Sequence, residues 1–302
     1  MGDQNWLAEQ FEANRARLRS VAYRMLGSLS EADDAVQESW LRLARSDSGH
    51  IENLSAWLTT VVARVSLNMQ RSRQTRREDP LGGRLPDPIV THPDNRADPE
   101  NAVLLVDSVS LALLVVLEAL GPDERLAFVL HDMFGMAFDE IAPIVGRSPT
   151  TTRQLASRAR RRVQGFGKVP DRDLERQRKV VDAFLMAARN GDLAALIEVL
   201  DPDVVVRSDR DAAVSGVLTE LRGAPAVAEG ALTFSKMARF ARPALVNGTP
   251  GILSFDAQGK PFCVMAFTVA DGRVVEIDIF GDPARVRQLK LGSLNDFENG
   301  KD

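Results

Sequence analysis

Seven side chains between residues 150 and 161 carry the densest recognition chemistry in the chain: Thr150, Thr151, Arg153, Gln154, Ser157, Arg158 and Arg161. An arginine can donate two hydrogen bonds to a guanine edge and a glutamine can exchange two with adenine, while further arginines hold phosphates. No acidic residue occurs between Ile141 and Pro170, so nothing nearby cancels the positive charge. Such side chains read bases only if a rigid helix carries them into the major groove. The flanking residues supply that helix and a second one to brace it. Ile141, Ile144 and Val145 repeat at helical spacing, and Gly146 suits the left-handed turn that ends a helix. Ser148 can cap the next helix, with Pro149 in its first position, where the missing N–H costs nothing. Thr152, Ala156, Ala159 and Val163 then form a narrow seam of small side chains for close helix packing. The pattern is a helix-turn-helix whose second helix binds DNA. The same arginines would suit a solvated helix in an ordinary hairpin; the glycine turn, the Ser-Pro start and the seam favour DNA.

Two further polar sets stand on helices earlier in the chain. In SEADDAVQESWLRLAR, from residue 30, Val36, Trp40 and Leu43 make a buried stripe and leave Asp33, Asp34, Gln37, Glu38 and Arg42 outside. Ser30 and Asp33 have the spacing of a capping box, with Asp in place of Glu, and acids suit a helix N-terminus. The helix beginning near Ser55 buries Trp57, Leu58, Val61, Val62, Val65 and Met69, and presents Arg64, Asn68, Arg71 and Arg73, followed by Arg76 and Arg77. Those arginines could track phosphates and Asn68 could meet an exposed base. By charge alone, both sets also read as solvated faces.

With 302 residues the expectation is two or three domains. The net charge of −4 argues against bulk adhesion to nucleic acid, but the charge is segregated: residues 53–77 and 141–170 contain basic and no acidic residues. One cysteine, Cys263, rules out an internal disulfide and a thiolate zinc site, and three scattered histidines have no ligand spacing. No metal or cofactor is expected. The acidic N-terminus has no signal-peptide core, and the most apolar run, residues 109–117, is too short to span a bilayer. The expectation is a soluble, reduced, cytoplasmic protein with no membrane partner.

Four segments follow. Residues 1–79 are helical, with a first helix over 5–26 ended by Gly27. Residues 80–100, rich in Pro, Gly and Asp, are a linker, extended or partly disordered. Residues 101–169 are a second helical domain, with a buried helix over 103–120, a turn at 121–123, a helix over 124–133, and the helix-turn-helix. His131 adjoins Asp132, but neighbours on a helix point apart, so the pair is read as structural. Residues 170–302 shift to β-rich runs, DVVVRS, PALVNG, GILSF, PFCVMAFTV and RVVEIDIF, with helices over 174–189 and 224–240 and a strong hairpin turn at Asp271-Gly272. The fold class is therefore two all-α domains followed by an α+β domain with a curved antiparallel sheet.

The series RLRSVAYRMLGSLSEADDAVQESWLRL and AWLTTVVARVSLNMQRSR resembles region 2 of bacterial extracytoplasmic-function (ECF) sigma factors, and LEALGPDERLAFVLHDMFGMAFDEIAPIVGRSPTTTRQLASRARRRV resembles their region 4. The resemblance implies that Asp33, Asp34, Gln37 and Glu38 dock on core RNA polymerase. It also implies that Arg64, Asn68, Arg71 and Arg73, with the loop over 45–53, capture the melted −10 strand, and that region 4 binds the −35 duplex. The family often has an acid at position 68 and Asn at position 65. RLPDPIV, the fused C-terminal domain and its Gly281-Asp282-Pro283-Ala284-Arg285 end resemble the sigma J-like subgroup, in which this domain is a SnoaL-like cone; a Gly-rich motif of that subgroup appears degraded over 208–212. The resemblance implies internal regulation and an apolar pocket able to hold a small ligand. Asp203 and Asp278 are the carboxylates by type for a base there, though no enzyme is expected. The competing reading is a ligand-responsive helix-turn-helix transcription factor acting without core polymerase. The acidic helix, which such a factor does not need, speaks against it.

Overall fold

The structure is a computed structural model and describes residues 2–46, 51–76, 85–93, 110–165, 170–209, 219–233, 235–289 and 291. Parts of several expected features lie outside these residues: the 45–53 loop at 47–50, the first half of the 103–120 helix, most of the 208–212 motif, and both ends of the linker. The chain forms two compact units. One comprises Met1–Asp79, Pro99–Asp107 and Leu113–Phe166; the other comprises Pro80–Asp98, Ser108–Ala112 and Gly167–Asp302.

In the first unit, α1 (Gly2–Leu26), α2 (Leu29–Arg45) and α3 (Leu54–Arg76) pack on one another. Gly27, at φ 67°, lets α1 turn sharply into α2. Phe11, Leu18, Val21, Met25, Val36, Leu43, Leu58 and Val62 are buried at the expected spacings. Ala32, Ala35 and Ser39 are buried with them, which lets α2 approach closely, while Trp40 is half-buried against the Phe11 ring at 5.1 Å. The expected Ser30/Asp33 box does not form. Ser28 occupies the cap position, and the Asp33 carboxylate is taken by Arg19 at 2.6 Å, because an ion pair across two helices outcompetes a local backbone contact.

Among the described residues this unit also holds α4 (Leu111–Glu118) from Leu113 onward, α5 (Pro122–Phe128), α6 (Phe138–Val145) and α7 (Pro149–Gly165). Pro122 and Asp123, expected in a turn, already belong to α5, with proline at the start where it is pre-shaped for the helix. The helix continues as one widened π turn, Val129–Met133, before Gly135 reverses the chain at φ 69°. Among the described residues, Arg125 is the largest fully buried side chain. It donates to the Arg24 carbonyl at 2.9 Å and to Glu118 at 2.9 Å, joining α5 to α1 and α4.

The second unit has a seven-stranded sheet in the order β1-β4-β5-β6-β7-β2-β3. β2 (Leu200–Ser208), β4 (Ala241–Val246), β5 (Thr249–Phe255), β6 (Pro261–Ala270) and β7 (Arg273–Phe280) contain the runs read from sequence; β1 (Val90–Thr91) and β3 (Thr219–Arg222) were not foreseen. The sheet is not wholly antiparallel, because β2 runs parallel to β7. Its inner face packs on α8 (Leu174–Asn190), α9 (Leu193–Val199) and α10 (Ala224–Thr233) through Phe184, Leu196, Val227, Ile252, Phe267 and Ile277. The single helix expected over 224–240 is instead α10 followed by the short α11 (Ser235–Ala238).

The outer face is also apolar: Ala244, Leu253, Val264, Ala266 and Phe280 are buried on the alternate positions of the strands. The described part of the linker, residues 85–93, lies in this same unit. Residues 85–93 are extended, as expected, but anchored: β1 pairs with β4 through Val90–Val246 and Thr91–Leu245, and Leu85, Ile89 and Val90 are buried. Asn247, in the β4–β5 turn, exchanges hydrogen bonds with Ile89 in both directions, at 2.8 and 2.9 Å. Burying one such aliphatic side chain is worth about 1.5–3 kcal/mol, enough to hold a segment with no periodicity of its own.

Candidate nucleic-acid and protein interfaces

The helix-turn-helix is built from local signals. Gly146 ends α6 at φ 75°, and the Ser148 hydroxyl accepts from the Thr151 N–H at 3.2 Å, capping α7. Thr152, Ala156 and Ala159 are buried against the rest of the unit, and Val163 is half-buried. This orientation leaves Thr150, Arg153, Gln154, Arg158 and Arg161 exposed, with Thr151 and Ser157 half-buried beside them. Arg153 lies 5.4 Å over the Phe138 ring, so its guanidinium starts from a supported position. The other arginines of the run point differently. Arg160 pairs with Asp132 at 2.6 Å and Arg162 with Glu124 at 2.9 Å, across to α5 and its π turn. These two brace α7, whereas Arg158 and Arg161 remain on the open face. The acids that sort the run lie far back in the sequence, so no local pattern could have done so. Asp132 is thus an ion-pair partner, and His131 stacks on Phe138 at 3.9 Å with its Nδ1 2.9 Å from the Met136 carbonyl oxygen, a structural position.

On α2, Asp33, Asp34 and Gln37 are exposed on one face; Glu38, beside them, is half-exposed and pairs with Arg42 at 2.8 Å. Between α1 and α2 runs a groove of about 250 Å³ whose walls include Phe11, Glu12, Asp33, Val36, Gln37 and Trp40. An acidic rim over the buried Phe11 ring and the half-buried Trp40 ring is suited to a basic, partly apolar protein surface.

The polar set on α3 divides. Arg64, Asn68 and Arg71 form an exposed strip, whereas Arg73 turns inward, pairing with Glu31 and donating to the Leu26 carbonyl at 3.4 Å. The strip itself meets the helix-turn-helix domain. Arg71 pairs with Asp123 at 2.6 Å and donates to the Val145 carbonyl at 3.3 Å; Arg64 donates to the Pro143 carbonyl at 3.4 Å. Acceptors on α5 and α6 therefore occupy the same guanidinium donors that phosphates would need.

In the second unit, Asp203 is exposed in the β2 bend, where its N–H meets Asp201 at 3.1 Å. Asp278 is buried on β7. Its neighbours Ile277 and Ile279 line a cavity on the inner face, so the pleat turns Asp278 to the outer face, 3.5 Å from Arg207. Burial pushes its carboxyl up to about 6, against the opposing pull of Arg207. Neither carboxylate is placed to act as a base in the cavity. Arg285, on α12 (Pro283–Gln288), is a hub that sequence reading missed. It pairs with Asp209 and Asp87, each at 2.6 Å, and donates to the Leu85 carbonyl at 2.6 Å. Asp209 in turn accepts from the Gly281 and Asp282 N–H groups at 2.7 and 3.1 Å. The Asp in the linker and the Arg after Asp-Pro were visible in sequence, but nothing local joined them. No group of residues suited to holding a metal ion and no helix long and apolar enough to cross a membrane occurs among the described residues.

Residues 10–76 match the model of Sigma-70 region 2, and residues 110–163 that of Sigma-70, region 4. The chain is 38% identical over 290 residues to the ECF RNA polymerase sigma factor SigJ of Mycobacterium tuberculosis (strain ATCC 25618 / H37Rv), covering 91% of each protein. It is 33% identical over 300 residues to a probable ECF RNA polymerase sigma factor SigI of M. tuberculosis (strain CDC 1551 / Oshkosh), covering 96% of this chain and 98% of the relative. The crystal structure of M. tuberculosis SigJ superposes with a TM-score of 0.76 at 34% identity, covering 94% of this chain and all of that one. A dissociable transcription-initiation subunit is thus the class that the helical domains define. The chain belongs to the ECF RNA polymerase sigma factor family, with a C-terminal SnoaL-like domain.

Proposed function

We propose that this sigma factor engages core RNA polymerase through Asp33, Asp34, Gln37 and Glu38 on α2, the −10 strand through Arg64, Asn68 and Arg71, and the −35 duplex through Thr150, Thr151, Arg153, Gln154, Ser157, Arg158 and Arg161. The roles follow the order of the chain: 1–79 for core and −10 binding, 80–100 as linker, 101–169 for −35 binding, and 170–302 as a modulating domain. The observation that carries the reading is the division of the α7 arginines. Arg158 and Arg161 face outward with Arg153 and Gln154, while Arg160 and Arg162 are tied back. That division suits a helix braced from behind and open in front. Arg73, held by Glu31, supports α3 rather than touching DNA. The chain works in the cytoplasm beside the polymerase and performs no covalent step itself, since the polymerase forms the phosphodiester bonds. Asp203 and Asp278, both away from the cavity, fit that reading. A factor acting without core polymerase has no use for the exposed acids of α2, and that reading is set aside.

The test is reconstitution: purified protein is added to core polymerase on templates carrying candidate promoters. Transcripts that start at one promoter class and require this chain support the proposal. DNA binding without promoter-specific transcripts overturns it. Modulation by residues 170–302 is tested separately, with a chain ended after Val169. An altered transcription rate with −35 binding retained supports it, and identical rates remove its support.

A further inference from the structure

Among the described residues, β3 (Thr219–Arg222) is the last strand of the sheet, and every residue of it is exposed. It pairs antiparallel with β2 through Val205–Arg222, Val206–Leu221, Arg207–Glu220 and Ser208–Thr219, and the Gly223 N–H donates to the Val204 carbonyl at 2.8 Å. Backbone groups of an antiparallel strand point alternately to its two sides. Gly223, Leu221 and Thr219 therefore turn theirs toward β2, while Glu220 and Arg222 turn theirs to the free edge. Side chains alternate between the faces of the sheet. Leu221 stands opposite Val206, which packs on the inner core, so Leu221 belongs to the inner face, and it remains 38% exposed. Glu220 and Arg222 share the outer face, where their side chains pair at 2.6 Å and are 40% and 68% exposed.

We propose that this edge is a pairing surface for a second copy of the chain, joined antiparallel about a two-fold axis at Leu221. That axis sets Glu220 opposite the partner's Arg222, and Arg222 opposite the partner's Glu220. These are the residues whose N–H and C=O groups face the free edge, so each facing pair exchanges both backbone hydrogen bonds. Leu221 then meets the partner's Leu221 at the closer, non-hydrogen-bonded site, and each covers the other. Charges on an edge strand ordinarily keep it from pairing. Here they select a register instead. An axis at Glu220 sets glutamate against glutamate, and an axis at Arg222 sets arginine against arginine; the axis at Leu221 opposes unlike charges at both places. The contact between two such short edges is smaller than a standard interface, so the dimer is weak and depends on concentration. It uses none of the residues assigned above to polymerase or DNA. The inference goes beyond the function proposed above and does not rest on it.

Sedimentation velocity of the full-length protein, from micromolar to submillimolar concentration, tests it. The wild-type chain should show a monomer–dimer equilibrium. Glu220→Arg opposes arginine to arginine and Arg222→Glu opposes glutamate to glutamate, so each should weaken dimerisation by about tenfold or more. An equimolar mixture of the two variants restores unlike charges at both facing pairs and should recover dimers built from one copy of each. Cross-linking reads the register. With Cys263→Ser removing the chain's single cysteine, Leu221→Cys should give a disulfide-linked dimer on oxidation. Glu220→Cys in the same background should link far more slowly, because the two copies of residue 220 lie diagonally, beyond the roughly 7 Å Cα separation a disulfide spans. A wild-type protein that stays monomeric throughout overturns the proposal. So does a dimer that both charge variants leave at wild-type strength, a mixture that stays monomeric, or equal linking at positions 220 and 221. The wild-type measurement decides even where a variant fails to fold.

Discussion

The contact between α3 and the helix-turn-helix domain sets up a competition that one substitution can expose. Arg71 cannot hold Asp123 and a DNA phosphate with the same donors. Asp123→Asn keeps the size and position of the side chain at the start of α5 and removes its charge. The pair is only partly shielded: the Arg71 side chain is 44% exposed and that of Asp123 23%, so it is worth at most about 1 kcal/mol. The Val145 carbonyl continues to accept from Arg71, and Arg64 keeps its contact with Pro143, which makes the change a bias rather than a release. One kcal/mol is about a fivefold change in an equilibrium, so the affinity of the free protein for a single-stranded −10 oligonucleotide should rise by up to about fivefold. Fluorescence anisotropy at fixed, moderate salt measures it. Removing an acid also strengthens DNA binding non-specifically, so Arg71→Ala and the double variant are needed to isolate the pair. The gain should vanish in the Arg71→Ala background. A gain of the same size with and without Arg71, or none in a protein of native helicity, refutes the competition.

Arg153→Ala and Arg158→Ala should each cost about 1–3 kcal/mol and relax selection at one −35 position, whereas Arg161→Ala should weaken all sequences alike and lower the salt slope by roughly 0.9; binding to a panel of −35 variants at several salt concentrations separates the two kinds of loss. Asp278 binds its proton more tightly folded than unfolded, 3.8 rising to about 6, so the stability it contributes is complete below about pH 4 and lost as pH rises through 6. Two pKa units correspond to about 3 kcal/mol, and Asp278→Asn should flatten urea-measured stability over that window, an unchanged slope being contrary to the assignment. Arg285→Ala should cost about 3 kcal/mol by leaving buried Asp209 without its guanidinium, and limited proteolysis should then cut within 85–93 faster than in the wild type; unchanged cleavage would mean that Arg285 does not hold the linker.

The helix-turn-helix was legible because every signal it needs is local. Gly146, the Ser148-Pro149 start and the 152/156/159 seam act within one or two turns of helix, and backbone sterics and capping work at that range. The five longer strands of the C-terminal domain were legible for the same reason, as was the Asp271-Gly272 turn, whose residues both take positive φ. The acidic face of α2 could be outlined from its period, although not which acids would be paired.

Tertiary structure decided the matters that depend on partners distant in the chain. The linker carries no period, yet Val90 and Thr91 become a strand because Val246 and Leu245, some 155 positions later, offer an edge. Four adjacent-looking arginines, 158 and 160–162, acquire two different duties from Asp132 and Glu124. The same holds for Arg71 beside Asp123, Arg285 between Asp209 and Asp87, and the direction of Asp278. Sequence alone determined most of the helices, the five longer strands and where positive and negative charge accumulate, since those follow from local sterics and periodicity. Which charges stay open, which are neutralised, and that a 290 Å³ space is left within the C-terminal core follow from long-range packing, where a side chain's partner is set by the whole fold.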